Sequence, residues 1–565
     1  MQEPSIEATW DRVALAVSGA EADHHNEWRE RFRAILADFR FLPGGRILAS
    51  AGTSRCATLF NCFVMGPIDD SLQGVFNALR DAMVTLQAGG GVGLDFSTLR
   101  PAGSQVASSG SGSVASGPVS FMAVWEAACT VLESGNLRRG AMMATLRCDH
   151  PDIETFIDAK LAGAALPHFK LSVMLSDDFM RALDEDGSWP LVFPLGERSI
   201  PVSAEVCERK WSGSTSPQLC LVYRRIPARV LWDKLLAAEH ACAGPGVLFI
   251  DRINRANNLW YCESLSATDP CAVVPLPPFG ACNLGAINLT RFVHQPFSRQ
   301  PKFDFGSLVA VASVATRFLD NVHDISIFPL KAQEKAAGAS RRIGLGITGL
   351  GDLFAMLGLR YGGPASVALT GEIMGLIRDT AYRTSIGLAQ EKGVFPEFNK
   401  IKYGASPFVL DLPQEIQAAI AQYGIRNSHL LAVAPTASVS LLANNISNGI
   451  EPIAAFKAVR HVRAADGQMI PFEVDDAACH HYRSLMGHAA ALPAHFVHAL
   501  DVSVEDQLLV MSAAQACVDH AISKTVRLPN SASAQEHGVV LRRAWALGLK
   551  GCSVVREGSQ PSAFQ

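Results

Sequence analysis

Short apolar runs recur along the chain, each separated from the next by a stretch with helical patterning. The clearest are "PLVFPL" (190–195), "GVLFI" (246–250), "GACNLGAINL" (280–289), "RIGLGITGL" (342–350) and "HLLAVAP" (429–435). Apolar runs this short, bounded by glycine and proline, read as strands. Strands alternating with helices predict a largely parallel α/β architecture. No segment of about 20–50 residues repeats, so the alternation is not that of a repeat array.

The segments before and between these runs are patterned differently. Residues 1–50 are helix-rich, and "EADHHNEWRERFRAILADF" places Trp28, Phe32 and Ile35 at helical spacing. Pro43, Gly44 and Gly45 in "FLPGGRILASAGT" (41–53) break that pattern and predict an extended segment. "NALRDAMVTLQ" (77–87) predicts an amphipathic helix ended by Gly89, Gly90 and Gly91, and "ASSGSGSVASG" (107–117) predicts a small-residue lid or linker. No other break marks a boundary. The expected organisation is therefore a helical N-terminal segment, 1–50, and one large α/β domain, 51–565.

Composition narrows the functional classes. At 565 residues, with 48% hydrophobic and 18% charged residues, the chain reads as well packed and globular. A net charge of −4 gives no reason to expect nucleic-acid binding. No run reaches the roughly 18–20 apolar residues that span a bilayer. "MQEPSIEATWDRV" lacks the pattern of a secretory signal, so a cytoplasmic location is expected. The thirteen cysteines are scattered, without any C-x-x-C pair. They read as reduced thiols, mostly small buried hydrophobes, and no structural metal site is expected.

A series of motifs is more specific. "NCFVMGPIDDSLQGVF", "AGGGVGLDFSTLRPAG", "SGPVSFM", "NLRRGAMMATLRCDHPDIETFI", "GACNLGAINL", "RFLDNVHD", "RRIGLGITGLGDLF", "APTASVSLLANNISNGIEP", "AISKTVRLP" and "AWALGLKGCSVVREGSQ" follow one another from about residue 40 to 560. In this order they resemble the large subunits of ribonucleotide reductases, most of all the adenosylcobalamin-dependent branch. The tyrosine-radical branch carries an adjacent tyrosine pair near the C-terminus. The corresponding "LKGCSVVREGS" has no tyrosine, and the chain holds no Tyr-Tyr pair. The glycyl-radical motif of a third branch is not evident either.

The resemblance implies a ten-stranded α/β barrel of two five-stranded parallel halves, with a finger loop in its centre. It implies adenosylcobalamin as cofactor, a ribonucleoside di- or triphosphate as substrate, a deoxynucleotide effector and a homodimer. It places a thiyl radical on Cys271, which removes the 3′-hydrogen of the ribose, and a reductant pair on Cys62 and Cys282. Taken singly, each of these cysteines reads as a buried structural thiol; their joint fall on family positions reverses that reading. Dithiol chemistry suits the task because it delivers two electrons. The resemblance also puts the backbone of Gly90 and Gly91 beside the substrate. Thr436, Ala437, Ser438 and Ser440 fall at a phosphate-binding strand-to-helix turn. Thr53 and Asn61 become substrate contacts, and Asp70 and Arg139 effector contacts.

The active-site loop departs from the family. Asn-Pro-Cys-Gly-Glu becomes Asp269-Pro270-Cys271-Ala272-Val273, so the glutamate that takes the 3′-hydroxyl proton is replaced by valine. General base catalysis contributes about 10²–10⁴-fold. Asp269 is the carboxylate expected to substitute, as a base or as a charged hydrogen-bond acceptor. The family's C-terminal cysteine pair has no counterpart beside Cys552, which implies an external thiol or a separate reductant protein. Two alternatives stand beside ordinary reduction: a derived radical enzyme acting on a nucleotide ribose, or a nucleotide-binding homologue without activity. Retention of all three cysteines argues against the last.

Overall fold

The computed structural model describes residues 3–55, 57–105, 114–134, 140–161, 166–196, 204–214, 216–463 and 468–559. Most of the small-residue loop at 107–117 and the effector candidate Arg139 lie outside these residues.

Ten strand segments pair in a closed order. The first five are β1 (Cys62–Val64), β2 (Gly91–Asp95), β3 (Met142–Arg147), β4 (Phe169–Leu175) and β5 (Gly246–Phe249), each parallel to the next. The other half begins with β6 (Ala281–Asn288), which runs parallel to β7 (Ile343–Thr348). Parallel bridges Leu345–Leu431 and Val433–Ile522 carry the ladder through the 431–433 segment. It ends on β8 (Thr525–Leu528), parallel to β9 (Gly551–Arg556). The halves meet in two antiparallel seams, β1 with β6 and β5 with β9. The expected barrel of two parallel halves is therefore the observed one. β6 is buried along its whole length, as a strand covered on both faces must be.

A short hairpin, Ala267–Thr268 paired with Pro275–Leu276, fills the barrel centre. Its residues Val273, Val274 and Leu276 are fully buried, packed with Val64 from one half and Leu284 and Ala432 from the other. The Ala521 amide donates to the Val273 carbonyl at 3.0 Å, fixing the tip to the second half.

The N-terminal helices Ile6–Ser18 and His25–Leu36 lie against the helix Phe305–Ile325. Phe32 and Ile35 are buried as their spacing predicts, and Phe32 meets Phe318 edge-on at 5.3 Å. Trp28 is covered by the Arg317 guanidinium, 4.0 Å from its ring. Arg317 also forms a bidentate pair with buried Glu21 at 2.7 and 2.8 Å.

Two local expectations are corrected. "PLVFPL" is a strand, but it belongs to a separate antiparallel sheet of Ser188–Pro194, Pro217–Pro227 and Val206–Lys210. An apolar run shows that a strand is buried, not which sheet buries it. In "FLPGGRILASAGT" the extended piece is Phe41–Pro43, which pairs with β6, and the helix Gly45–Ser50 follows. No described helix is long and apolar enough to cross a membrane.

Candidate active site

The seam between β1 and β6 places Cys62 directly opposite Cys282. Opposite residues on antiparallel strands project from the same face, with Cβ atoms about 4.5–5.5 Å apart. The hairpin brings Cys271 into the same apolar cluster. One seam and one loop thus bring Cys62 to Cys271 and Cys282, which lie 209 and 220 positions further along the chain. Cys62 and Cys282 are buried, whereas Cys271 is partly exposed. Burial pushes the Cys62 thiol well above the usual thiol range, and Asp269, Cys271 and Cys282 add to the effect. Burial raises Cys282 in the same way, against the opposing charge of Arg342. Both therefore stay protonated at neutral pH and hold their hydrogens.

Asp269 is fully buried and organises the loop. Its Oδ1 accepts from the amides of Val273 and Val274, both at 2.9 Å, and from the Thr268 hydroxyl at 3.2 Å. Its Oδ2 accepts from the Cys271 amide at 3.1 Å and from the Cys62 thiol at 3.2 Å. This is the geometry of an acceptor, with both oxygens already occupied. Ala272 has φ of 57°, the left-handed conformation that explains the family's glycine there. Ala272→Gly is expected to raise stability by at most about 1 kcal/mol, read as a small upward shift in thermal unfolding. Val273 is fully buried and packs with Cys62 and Cys282.

The glycines beside the loop are close-approach sites. A Cβ on Gly91 would sit 3.0 Å from Pro270, and one on Gly93 would sit 1.9 Å from the Thr268 carbonyl oxygen. A Cβ on Gly90 would instead meet the Phe63 ring at 2.6 Å. Asn61 accepts from the Gly91 amide through its main-chain carbonyl, at 2.9 Å. Its side-chain Oδ1 is buried without a hydrogen-bond partner among the described residues.

Thr436 precedes the short helix Ala437–Leu442 and is buried. Its hydroxyl bonds to the Thr348 hydroxyl at 2.7 Å and the Asn448 side chain at 3.0 Å, and accepts from the Gly449 amide at 3.0 Å. Ala437 and Ser438 are exposed, while Ser440 is buried and donates to the Ala437 carbonyl at 3.2 Å. Thr348 and Asn448 were not singled out from the sequence, although both lie within the quoted motifs. The signal for them is tertiary, because Thr436 meets them only once the barrel closes. Thr53 donates to the Ser50 carbonyl at 2.8 Å, so its hydroxyl caps its own turn. Asp70 is engaged by Arg100 at 2.7 Å, beside the N-terminus of the helix Leu72–Gln87.

The geometry gathers three thiols, one at a loop tip and two across a strand seam, in an apolar cluster beside a glycine-lined wall. Comparison with known proteins agrees with it. Residues 60–555 match the family described as ribonucleotide reductase, barrel domain, and residues 2–56 match the ribonucleotide reductase all-alpha domain. A vitamin B12-dependent ribonucleoside-diphosphate reductase of Mycobacterium tuberculosis is 36% identical over 97% of this chain and 75% of its own length. Its counterpart in Thermoplasma acidophilum is 31% identical, over 98% of this chain and 68% of its own length. The ribonucleoside-diphosphate reductase subunit alpha of Chlamydia pneumoniae is 24% identical over 79% of this chain and 45% of its own. The chain belongs to the ribonucleotide reductase large-subunit family.

Proposed function

We propose that the protein is an adenosylcobalamin-dependent ribonucleotide reductase in which Cys271 carries the radical and Cys62 with Cys282 supply the reducing equivalents. The observation that carries this reading is the register of Cys62 against Cys282, with Cys271 delivered to the same cluster by the hairpin. Two relatives matched over more than two thirds of their own length are vitamin B12-dependent reductases, which supports the cofactor.

The residues fit that cofactor's requirements. Cys271 is the partly exposed thiol of the three, so a radical generated outside the chain's own side chains can reach it. A cleft of about 1070 Å³ opens beyond the helix Ala437–Leu442, lined in part by Arg40, Asn444 and His480. The polar lining, which also includes Asp38, Glu473 and Asp475, offers hydrogen-bond partners to the amide-bearing periphery of a corrinoid. When bound, adenosylcobalamin supplies a carbon-centred radical able to take the hydrogen atom of the Cys271 thiol.

The chain's own residues do the rest. The Cys271 sulfur radical takes the 3′-hydrogen, the hydroxyl at C2′ leaves as water with a proton from the cysteine pair, and Cys271 finally returns the hydrogen to C3′ and regains its radical. Cys62 and Cys282 each give up a hydrogen and end as a disulfide. The balance is ribonucleotide plus dithiol going to deoxyribonucleotide, disulfide and water. Asp269 holds the Cys62 thiol and the hairpin backbone in place. The unpartnered Asn61 oxygen offers an acceptor to a substrate hydroxyl, and Thr436–Ser440 line the phosphate end. An external dithiol re-reduces the cysteine pair.

A homodimer is supported by exposed apolar residues on neighbouring helices. Leu72, Phe76 and Val84 lie on Leu72–Gln87 and Val131 on Pro118–Ser134. Patches of this kind mark association surfaces. Phe76→Glu is expected to shift the protein from dimer to monomer in light scattering. A monomeric parent protein would contradict the assignment.

Val273 favours a second reading, a derived radical enzyme, because no carboxylate other than the occupied Asp269 stands in the loop. The test is incubation with adenosylcobalamin, a dithiol and each ribonucleoside di- and triphosphate, with products identified by mass spectrometry. A deoxynucleotide supports reduction, and any other altered ribose supports the second reading. Unchanged nucleotide in every arm overturns both.

A further inference from the structure

A second pair of cysteines lies in register outside the barrel. In the separate antiparallel sheet, Cys207 on Val206–Lys210 stands directly opposite Cys220 on Pro217–Pro227. The ladder is intact beside them, where the Val222 amide donates to the Glu205 carbonyl at 2.9 Å. Directly opposite residues share a face, with Cα atoms about 4.5–5.5 Å apart. A disulfide spans Cα separations of about 4.4–6.8 Å, so the register puts the two cysteines within the range that a disulfide bridges. Both cysteines pack on Val192, Phe193 and Trp211. Cys220 is fully buried, and Cys207 is partly open to solvent. Burial, with Cys207 alongside, pushes the Cys220 thiol up to about 12, against the nearby charges of Arg147 and Arg209. The solvent-facing Cys207 sulfur can meet an external disulfide, and Cys220, held opposite it, is placed to resolve the mixed disulfide, slowly because its thiol is pushed up.

We propose that Cys207 and Cys220 form a redox-active cross-strand dithiol whose substrate is a low-molecular-weight disulfide of the glutathione type. The Cys207 sulfur attacks the external disulfide, forming a mixed disulfide and releasing one external thiol. The Cys220 sulfur then attacks the Cys207 sulfur, forming the Cys207–Cys220 bond and releasing the second. The two cysteine protons leave on the two released thiols, so the protein loses two electrons and the external disulfide gains them.

The bond would staple a ribbon that props up part of the barrel. Trp211, between the two cysteines, donates its indole N–H to the Ser97 carbonyl at 3.0 Å. Tyr223 lies 3.3 Å from the Ser104 hydroxyl. Ser97 and Ser104 flank Arg100, the partner of Asp70. Ser97 stands six residues beyond Gly91, the ladder partner of Cys62. That is on the order of 15–20 Å of chain at strand and 3₁₀ rises, so the ribbon is anchored at the far end of the strand that pairs with Cys62.

The test uses the full-length protein equilibrated with oxidised glutathione, quenched with an alkylating agent and digested with trypsin without reduction. Cleavage at Arg209 or Lys210 separates the two cysteines, so their bond joins two peptides. The expected result is a Cys207–Cys220 peptide pair lighter by two hydrogens than the separate peptides, absent after dithiothreitol treatment. Cys220→Ala is expected to retain glutathione on Cys207, and Cys207→Ser to give neither product. Alkylation of both cysteines as free thiols in the oxidised protein would overturn the proposal. So would glutathione persisting on Cys207 of the unaltered chain without closure to Cys220.

Discussion

Cys271→Ala is expected to reduce product formation to the level of a protein-free control while leaving the fold intact. The two halves of that expectation have different physical origins. The hairpin is held by the Asp269 carboxylate, which accepts from the Cys271 main-chain amide. Alanine keeps that amide, so the loop stays in place. Removing one partly exposed sulfur leaves little cavity, and the loss of stability should be about 1 kcal/mol or less. Turnover, by contrast, has no second thiol to use. Cys62 and Cys282 are buried on the strand seam and positioned for disulfide formation with each other. Product formation is followed by mass spectrometry and the fold by thermal unfolding. Retained product would remove Cys271 from the radical role, and a collapsed melting curve would mean the thiol is structural.

Gly93→Ala should damage the same site from the opposite side. The added Cβ would lie 1.9 Å from the Thr268 carbonyl oxygen and 2.9 Å from its carbonyl carbon. These are backbone atoms, so no side-chain rotation relieves the clash. Gly93 is also fixed in its strand, where its carbonyl accepts from the Met65 amide at 2.8 Å. The hairpin must therefore shift outward, carrying Cys271 with it. Overpacking of this kind costs about 1–3 kcal/mol, and displacement of the loop tip should remove most activity. Gly371→Ala is the matched control, since a Cβ there meets nothing within 4 Å. Melting temperature and turnover should both fall for Gly93→Ala and hold for Gly371→Ala. Unchanged activity in Gly93→Ala would show that the hairpin position is not critical.

The parts of the site read from the sequence are those that depend on order along the chain. The motif series leads to the barrel, and the cysteines of "FNCFV" and "GACNL" do meet across a seam. What could not be read is what tertiary contact alone creates. Asp269 reads in the sequence as a base or an acceptor, but the five hydrogen bonds of its carboxylate come from the folded loop and from Cys62 on another strand. The glycine run signalled close approach, yet its spacing could not say that Thr268 and Pro270 are the neighbours of Gly93 and Gly91. The support of Thr436 by Thr348 and Asn448 is equally long-range. "PLVFPL" shows the converse limit. Its apolar pattern identifies a strand correctly but carries no information on its partner, and the partner decides whether it joins the barrel.

The proposed reaction rests on hydrogen abstraction by Cys271 from C3′ of a nucleotide ribose. The most direct measurement compares turnover of a ribonucleotide deuterated at C3′ with that of the unlabelled substrate, in the presence of adenosylcobalamin and a dithiol. Slower turnover of the deuterated substrate and an altered ribose in the product are expected, both absent in Cys271→Ala. Product formed at the same rate from both substrates, or formed equally by Cys271→Ala, would contradict it.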